Sequence, residues 1–68
     1  MAIRITLNGA ARDLPASLNF EQLLDELALN GKRLAIERNG EIVPRSAFGD
    51  SRVADGDRIE VVIAVGGG

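Results

Sequence analysis

Val61-Val62-Ile63-Ala64-Val65, followed by Gly66-Gly67-Gly68, is the stretch on which the reading of this chain turns. A run of β-branched and small apolar residues predicts a last strand seated against a core. The three glycines behind it add no packing and lose the most conformational freedom when ordered, so stability gives them no role. They read as a thin, flexible lead, residues 66–68, that carries the carboxylate of Gly68 into a narrow site on another protein. Residues 1–65 are then the folded domain.

The remainder of the sequence offers no competing place for chemistry. It contains no Cys and no His, which excludes a thiolate nucleophile, an imidazole base and the usual zinc ligand sets. No metal site or bound cofactor is therefore expected, and the reacting group of choice is the carboxylate of Gly68. Sixty-eight residues make one small domain, and a hydrophobic content of 46% argues against disorder. Met1-Ala2-Ile3-Arg4-Ile5 alternates from the start, without the apolar run of a signal peptide, and no segment approaches membrane-spanning length. A cytoplasmic protein is expected. A net charge of -2, with both signs interspersed and two Phe as the only aromatics, provides neither a phosphate-tracking stripe nor a base-stacking platform. Nucleic acid and membrane are not expected partners.

Turn signals divide the chain. Ile3, Ile5 and Leu7 alternate with Arg4 and Thr6, and Asn8-Gly9 supplies a tight hairpin into a second strand through Arg12 to Leu14. After Pro15 and Ala16, Asn19 and Gln22 form a capping-box pair, and Phe20, Leu23, Leu24 and Leu27 fall on one face of a helix running from Phe20 to Leu29. Gly31 stops it. Leu34 to Arg38 reads as a third strand, Asn39-Gly40 as a second hairpin and Glu41 to Val43 as a short strand ended or edged by Pro44. Ser46 is the expected cap of a short helical turn through Phe48, which plugs the core. Asp55-Gly56-Asp57 turns the chain into the final strand, Arg58 to Val65.

Two hairpins flanking one helix, then a lone strand, predict an α+β fold: a mixed sheet of four to five strands packed on one main helix. The economical topology inserts the final strand beside the first and parallel to it, the beta-grasp arrangement of ubiquitin-like proteins. With Ile59, Val61, Ile63 and Val65 turned to the helix, the opposite face carries Arg58 and Glu60 and then Val62 and Ala64, apolar where an open sheet face is normally polar. Thr6 or Leu7 of the first strand is expected nearby. This patch is a candidate dock for an activating enzyme.

The segment Ile36-Glu37-Arg38-Asn39-Gly40-Glu41-Ile42-Val43-Pro44-Arg45, then Asp55-Gly56-Asp57-Arg58-Ile59-Glu60, then Ala64-Val65-Gly66-Gly67-Gly68 resembles the sulfur carrier protein of thiamin biosynthesis, the ThiS family. The similarity spans essentially the whole chain, although Phe48 stands where many relatives are expected to hold Trp. The resemblance implies that Gly68 is adenylated by an E1-like, ThiF-type adenylyltransferase using ATP and magnesium. Sulfur from a cysteine desulfurase route or another donor then gives a thiocarboxylate, which hands it to a ThiG-type thiazole synthase. The carrier is thus a protein cosubstrate and not an enzyme. Gly66 and Gly67, lacking a β carbon, would let the partner's channel close around the tail.

Other readings stay open. A molybdopterin-synthase small subunit would use the same fold and thiocarboxylate, a ubiquitin-like modifier would join its tail to targets, and an adaptor would use neither. Arg45 and Arg58 border features shared with the family and are candidate partner contacts. Asp13, Glu21, Asp25, Glu26, Lys32 and Arg33 read as solvated faces and helix-end charges.

Overall fold

The computed structural model describes residues 1–64. The expected boundary between residues 65 and 66, and the roles expected of Val65, Gly66, Gly67 and Gly68, lie outside the described residues. Five strands and one helix follow the order β1 (Ile3–Leu7), β2 (Ala10–Leu14), α1 (Phe20–Glu26), β3 (Leu34–Arg38), β4 (Glu41–Val43) and β5 (Arg58–Ile63), with a 3-10 turn at Arg45–Ala47 before the last crossing. They form one mixed sheet in the order β2-β1-β5-β3-β4. The fold is the expected beta-grasp.

Both hairpins turn as their sequences require. Asn8 and Gly9 hold φ angles of 49° and 85°, and Asn39 and Gly40 hold 51° and 87°. Two successive positive φ values match the right-handed twist of the flanking strands, and Asn-Gly supplies them at least cost. The first turn leaves β1 antiparallel to β2, with Ile5 facing Arg12. The second sets Ile36 opposite Val43. On the outer edge Arg4 pairs with Asp13 at 2.7 Å, and that hydrogen bond, aided by charge, holds the Asp13 carboxyl below its ordinary range. Both side chains are well exposed, so the pair is a minor contributor to stability.

Helix α1 starts as predicted and ends earlier. The Asn19 side chain accepts from the Gln22 amide at 2.8 Å, while the Gln22 side chain accepts from the Asn19 amide at 2.9 Å. At the other end Leu27 is the cap, Ala28 stands at φ 57°, and the amides of Ala28 and Leu29 donate back to Asp25 and Leu24. This closes a Schellman motif, so the helix stops at Glu26 and not at Leu29. Gly31, the expected stop, makes a separate turn at φ 80° further on. Leu29 leaves the helix to pack against the core. The 3-10 turn also departs from expectation: Ser46 lies inside it, and Pro44 precedes it without any side-chain cap.

The core lies between the helix and one sheet face. Phe20, Leu23, Ile5, Leu14, Ile36, Val53 and Ile59 are almost completely excluded from solvent, and Phe48 closes the layer with its ring 6.2 Å from that of Phe20. Along β5 the alternation is plain: Ile59 and Val61 are buried, Arg58, Glu60 and Val62 exposed. Ile63, expected to face the helix, is 40% exposed at the last position of β5. Asp57 is the single buried charged residue among the described residues. Its carboxylate accepts from Arg38 Nε at 3.1 Å, Asn39 Nδ2 at 3.2 Å and the Ala54 amide at 2.8 Å, tying the β3–β4 hairpin to the loop that launches β5.

Two stability measurements test this description. Replacing Ala28 by Gly relieves a left-handed alanine and should stabilise the domain by about 0.5–1 kcal/mol in urea denaturation, net of the extra freedom gained by the unfolded chain. Val62→Glu should change stability by less than about 1 kcal/mol, whereas Val61→Glu, placing a charge in the core, should cost more than about 3 kcal/mol. Equal losses in the two variants would contradict the assigned faces of β5.

Candidate functional site

Strand β5 occupies the centre of the sheet because it finds a partner on both flanks. On one side it runs parallel to β1, with Thr6 opposite Arg58 and Leu7 opposite Ile59. On the other it runs antiparallel to β3, from Arg38 opposite Ile59 to Leu34 opposite Ile63. β1 therefore ends where β5 has barely begun. The gap is bridged by Asn8, whose side chain accepts from the Val61 amide at 2.8 Å and donates to the Val61 carbonyl at 3.3 Å. Beyond that point the Ala64 amide donates to the Arg33 carbonyl at 2.9 Å, so backbone pairing to β3 continues to the last described residue.

The outer face at this end of β5 forms an open groove of about 370 Å³, lined by Arg33, Leu34, Ala35, Arg45, Val62 and Ala64. Three of the candidate interface residues, Val62, Ala64 and Arg45, are thus brought together. Arg58 is not among the lining residues. It lies four residues back on the strand from Val62, about 13 Å along it, and its amide donates to the Asn39 side chain at 2.9 Å. Thr6 and Leu7, expected near the patch, face Arg58 and Ile59 instead. Val62 is 62% exposed, a large apolar side chain held outward by strand alternation.

Three lining residues were not singled out from sequence. Leu34 and Ala35 open β3, and Ala35 faces Val62 directly. The register of β3 against β5 brings them together, and a hairpin signal alone does not give that register. Arg33 reads in sequence as a solvated charge after a turn. Its place beside the groove is set by its carbonyl, which accepts from the Ala64 amide. Arg45 is positioned by its neighbour Phe48, over whose ring its guanidinium sits 5.8 Å from the centroid.

What this site can do chemically is limited and specific. Among the described residues no cluster of His, Cys, Asp or Glu could hold a metal ion. No helix among them is long and apolar enough to cross a membrane. The groove presents apolar surface and two guanidinium groups next to the end of the central strand, which suits docking and does not provide a nucleophile or base.

Comparison with known proteins gives a consistent picture. A crystal structure of a thiamine biosynthesis protein (ThiS) from Geobacter metallireducens superimposes with a TM-score of 0.84 at 35% identity, covering 97% of this chain and all of that one. The chain is 42% identical over 66 residues to a thiazole synthase of Paramagnetospirillum magneticum, covering 97% of itself but a fifth of that relative's length. An uncharacterized protein, ycf40, of Porphyra purpurea is 35% identical over 66 residues, with 93% of its length covered. The ThiS family model matches residues 5–68, and with the five-stranded beta-grasp sheet and the relatives in agreement, the chain belongs to the ThiS family.

Proposed function

We propose that this chain is a cytoplasmic sulfur carrier for building the thiazole ring of thiamin, with the carboxylate of Gly68 as the group that carries sulfur. The observation that carries this reading is the family match, which runs through Gly66, Gly67 and Gly68. An α-carboxyl titrates at about 3.3–3.7, so the group is an anion at neutral pH. A carboxylate oxygen attacks the α-phosphorus of ATP on a ThiF-type, E1-like enzyme, pyrophosphate leaves, and magnesium on that enzyme offsets the phosphate charge. Sulfur at the level of hydrosulfide, supplied through a cysteine desulfurase route or another donor, then adds at the acyl carbon and expels AMP. The resulting thiocarboxylate is consumed by a ThiG-type thiazole synthase.

No side chain of the carrier is needed for any of these steps, so the chain acts as a cosubstrate. Its own contributions are delivery and docking. Glycine at 67 and 68 leaves no β carbon to obstruct a tight channel or to shield the carbonyl from attack. The groove beside Val62 and Ala64 is the dock for the activating enzyme, at the end of the strand that leads toward the glycines.

Intact-mass measurement tests the reading directly. After incubation with the ThiF-type enzyme, ATP, magnesium and a sulfur source, the chain should gain the mass difference of oxygen replaced by sulfur. Higher-mass conjugates in its place would mark a protein modifier and overturn the proposal. Gly67→Val should fold normally yet adenylate at least about a hundredfold more slowly, a loss of the size expected when geometry at the reacting centre is disturbed. Val62→Glu should weaken capture by the activating enzyme while leaving the melting curve in place.

A further inference from the structure

The outer face of β3 and β5 is graded in charge. Ala35 faces Val62, and two residues along β3, about 7 Å away, Glu37 faces Glu60. In the opposite direction lie Arg33 and Arg45, which line the groove with Val62 and Ala64. The strip thus reads basic, apolar, acidic from the C-terminal end of β5 backwards, before Arg58 on the same face returns positive charge at the start of the strand.

None of these four charges is neutralised within the described residues, where the ion pairs are Arg4 with Asp13 and Arg38 with Asp57. Like charges set directly across a sheet, as Glu37 and Glu60 are, destabilise it. The two guanidinium groups flank exposed apolar surface in a chain whose formal net charge is -2. An arrangement that costs stability at one end and, among the described residues, leaves two guanidinium groups without an ion-pair partner at the other fits complementarity to something outside the fold.

We infer that this strip docks a protein surface patterned in the reverse sense, acidic, apolar, basic, and that the two charged ends fix the direction in which the partner lies along β5. The inference rests on the reading of the groove as the dock for the activating enzyme, and it assigns that enzyme's docking surface its chemistry. An apolar side chain of the partner enters between Ala35, Val62 and Ala64. Carboxylates of the partner meet Arg33 and Arg45, and a cation meets Glu37 and Glu60. A partner laid the other way round would set like charges against each other at both ends.

The test measures affinity for the purified ThiF-type enzyme by calorimetry at low and high salt, with each variant first checked for an unchanged circular dichroism spectrum and cooperative melt. Arg33→Glu/Arg45→Glu and Glu37→Lys/Glu60→Lys should each weaken binding by about tenfold or more, the loss expected when an interfacial charge meets its like. Added salt should weaken the wild-type complex and narrow the gap to both variants. Unchanged affinity in either variant, or tighter binding by Glu37→Lys/Glu60→Lys, overturns the inference. The intact mass of the wild-type chain after reaction separates this outcome from a failure beneath it. Sulfur acquired despite indifferent docking sinks the charge pattern alone, whereas a wild-type chain that never acquires sulfur removes the functional reading and the inference with it.

Discussion

Two hydrogen bonds from the side chain of Asn8 hold β5 in place beyond the point where its parallel neighbour has ended. A parallel pair confined to Thr6–Arg58 and Leu7–Ile59 is a short anchor for a central strand. By offering an amide oxygen and an amide nitrogen to Val61, Asn8 imitates one more residue of ladder while its own backbone is already turning into β2. One residue therefore serves as hairpin former and as strand extender. The consequence is that Val61 is pinned inward and Val62 outward, where it lines the groove.

Asp57 imposes the second constraint. Its carboxylate gathers Arg38, Asn39 and the Ala54 amide, and the Asp57 carbonyl accepts from Thr6 at 2.9 Å. The second hairpin, the last loop and the first strand are thus locked at the one place where β5 must enter. Arg38 is shared further, with its guanidinium 5.2 Å from the ring centroid of Phe20 and its Nη2 donating to the Arg52 carbonyl. A buried carboxylate is costly unless its hydrogen bonds are made, and here they are made by the elements whose relative position the fold needs.

Much of this architecture was legible in the residues because local signals and the global fold agree. Asn-Gly occurs twice with alternating apolar residues on either side, the Asn19–Gln22 box marks the helix start, and five strands then have few ways to cover one helix. The errors have a common physical source. Ala28 adopts a left-handed conformation usually left to glycine, so the sequence carries no glycine at the helix end and its first stop signal lies further on, at Gly31. Ile63 follows the inward alternation yet is 40% exposed at the end of β5. In both cases tertiary geometry, not composition, decides the outcome.

The candidate site was legible in a more limited way. Alternation along β5 was enough to pick out Val62 and Ala64, but a single strand says nothing of its neighbours. Arg58, nominated for its place beside the Asp-Gly-Asp turn, points from the same face yet lies too far along the strand to join the groove. Arg33 reads in sequence as an ordinary surface charge. What separates the two arginines is register: Arg33 is joined through its carbonyl to Ala64, at the end of β5 where apolar residues lie outermost. Charge in a small domain acquires meaning from the surface beside it. A guanidinium over water does little, whereas one at the margin of exposed valine and alanine favours a partner that brings both an apolar side chain and a carboxylate, and disfavours one that brings only the first.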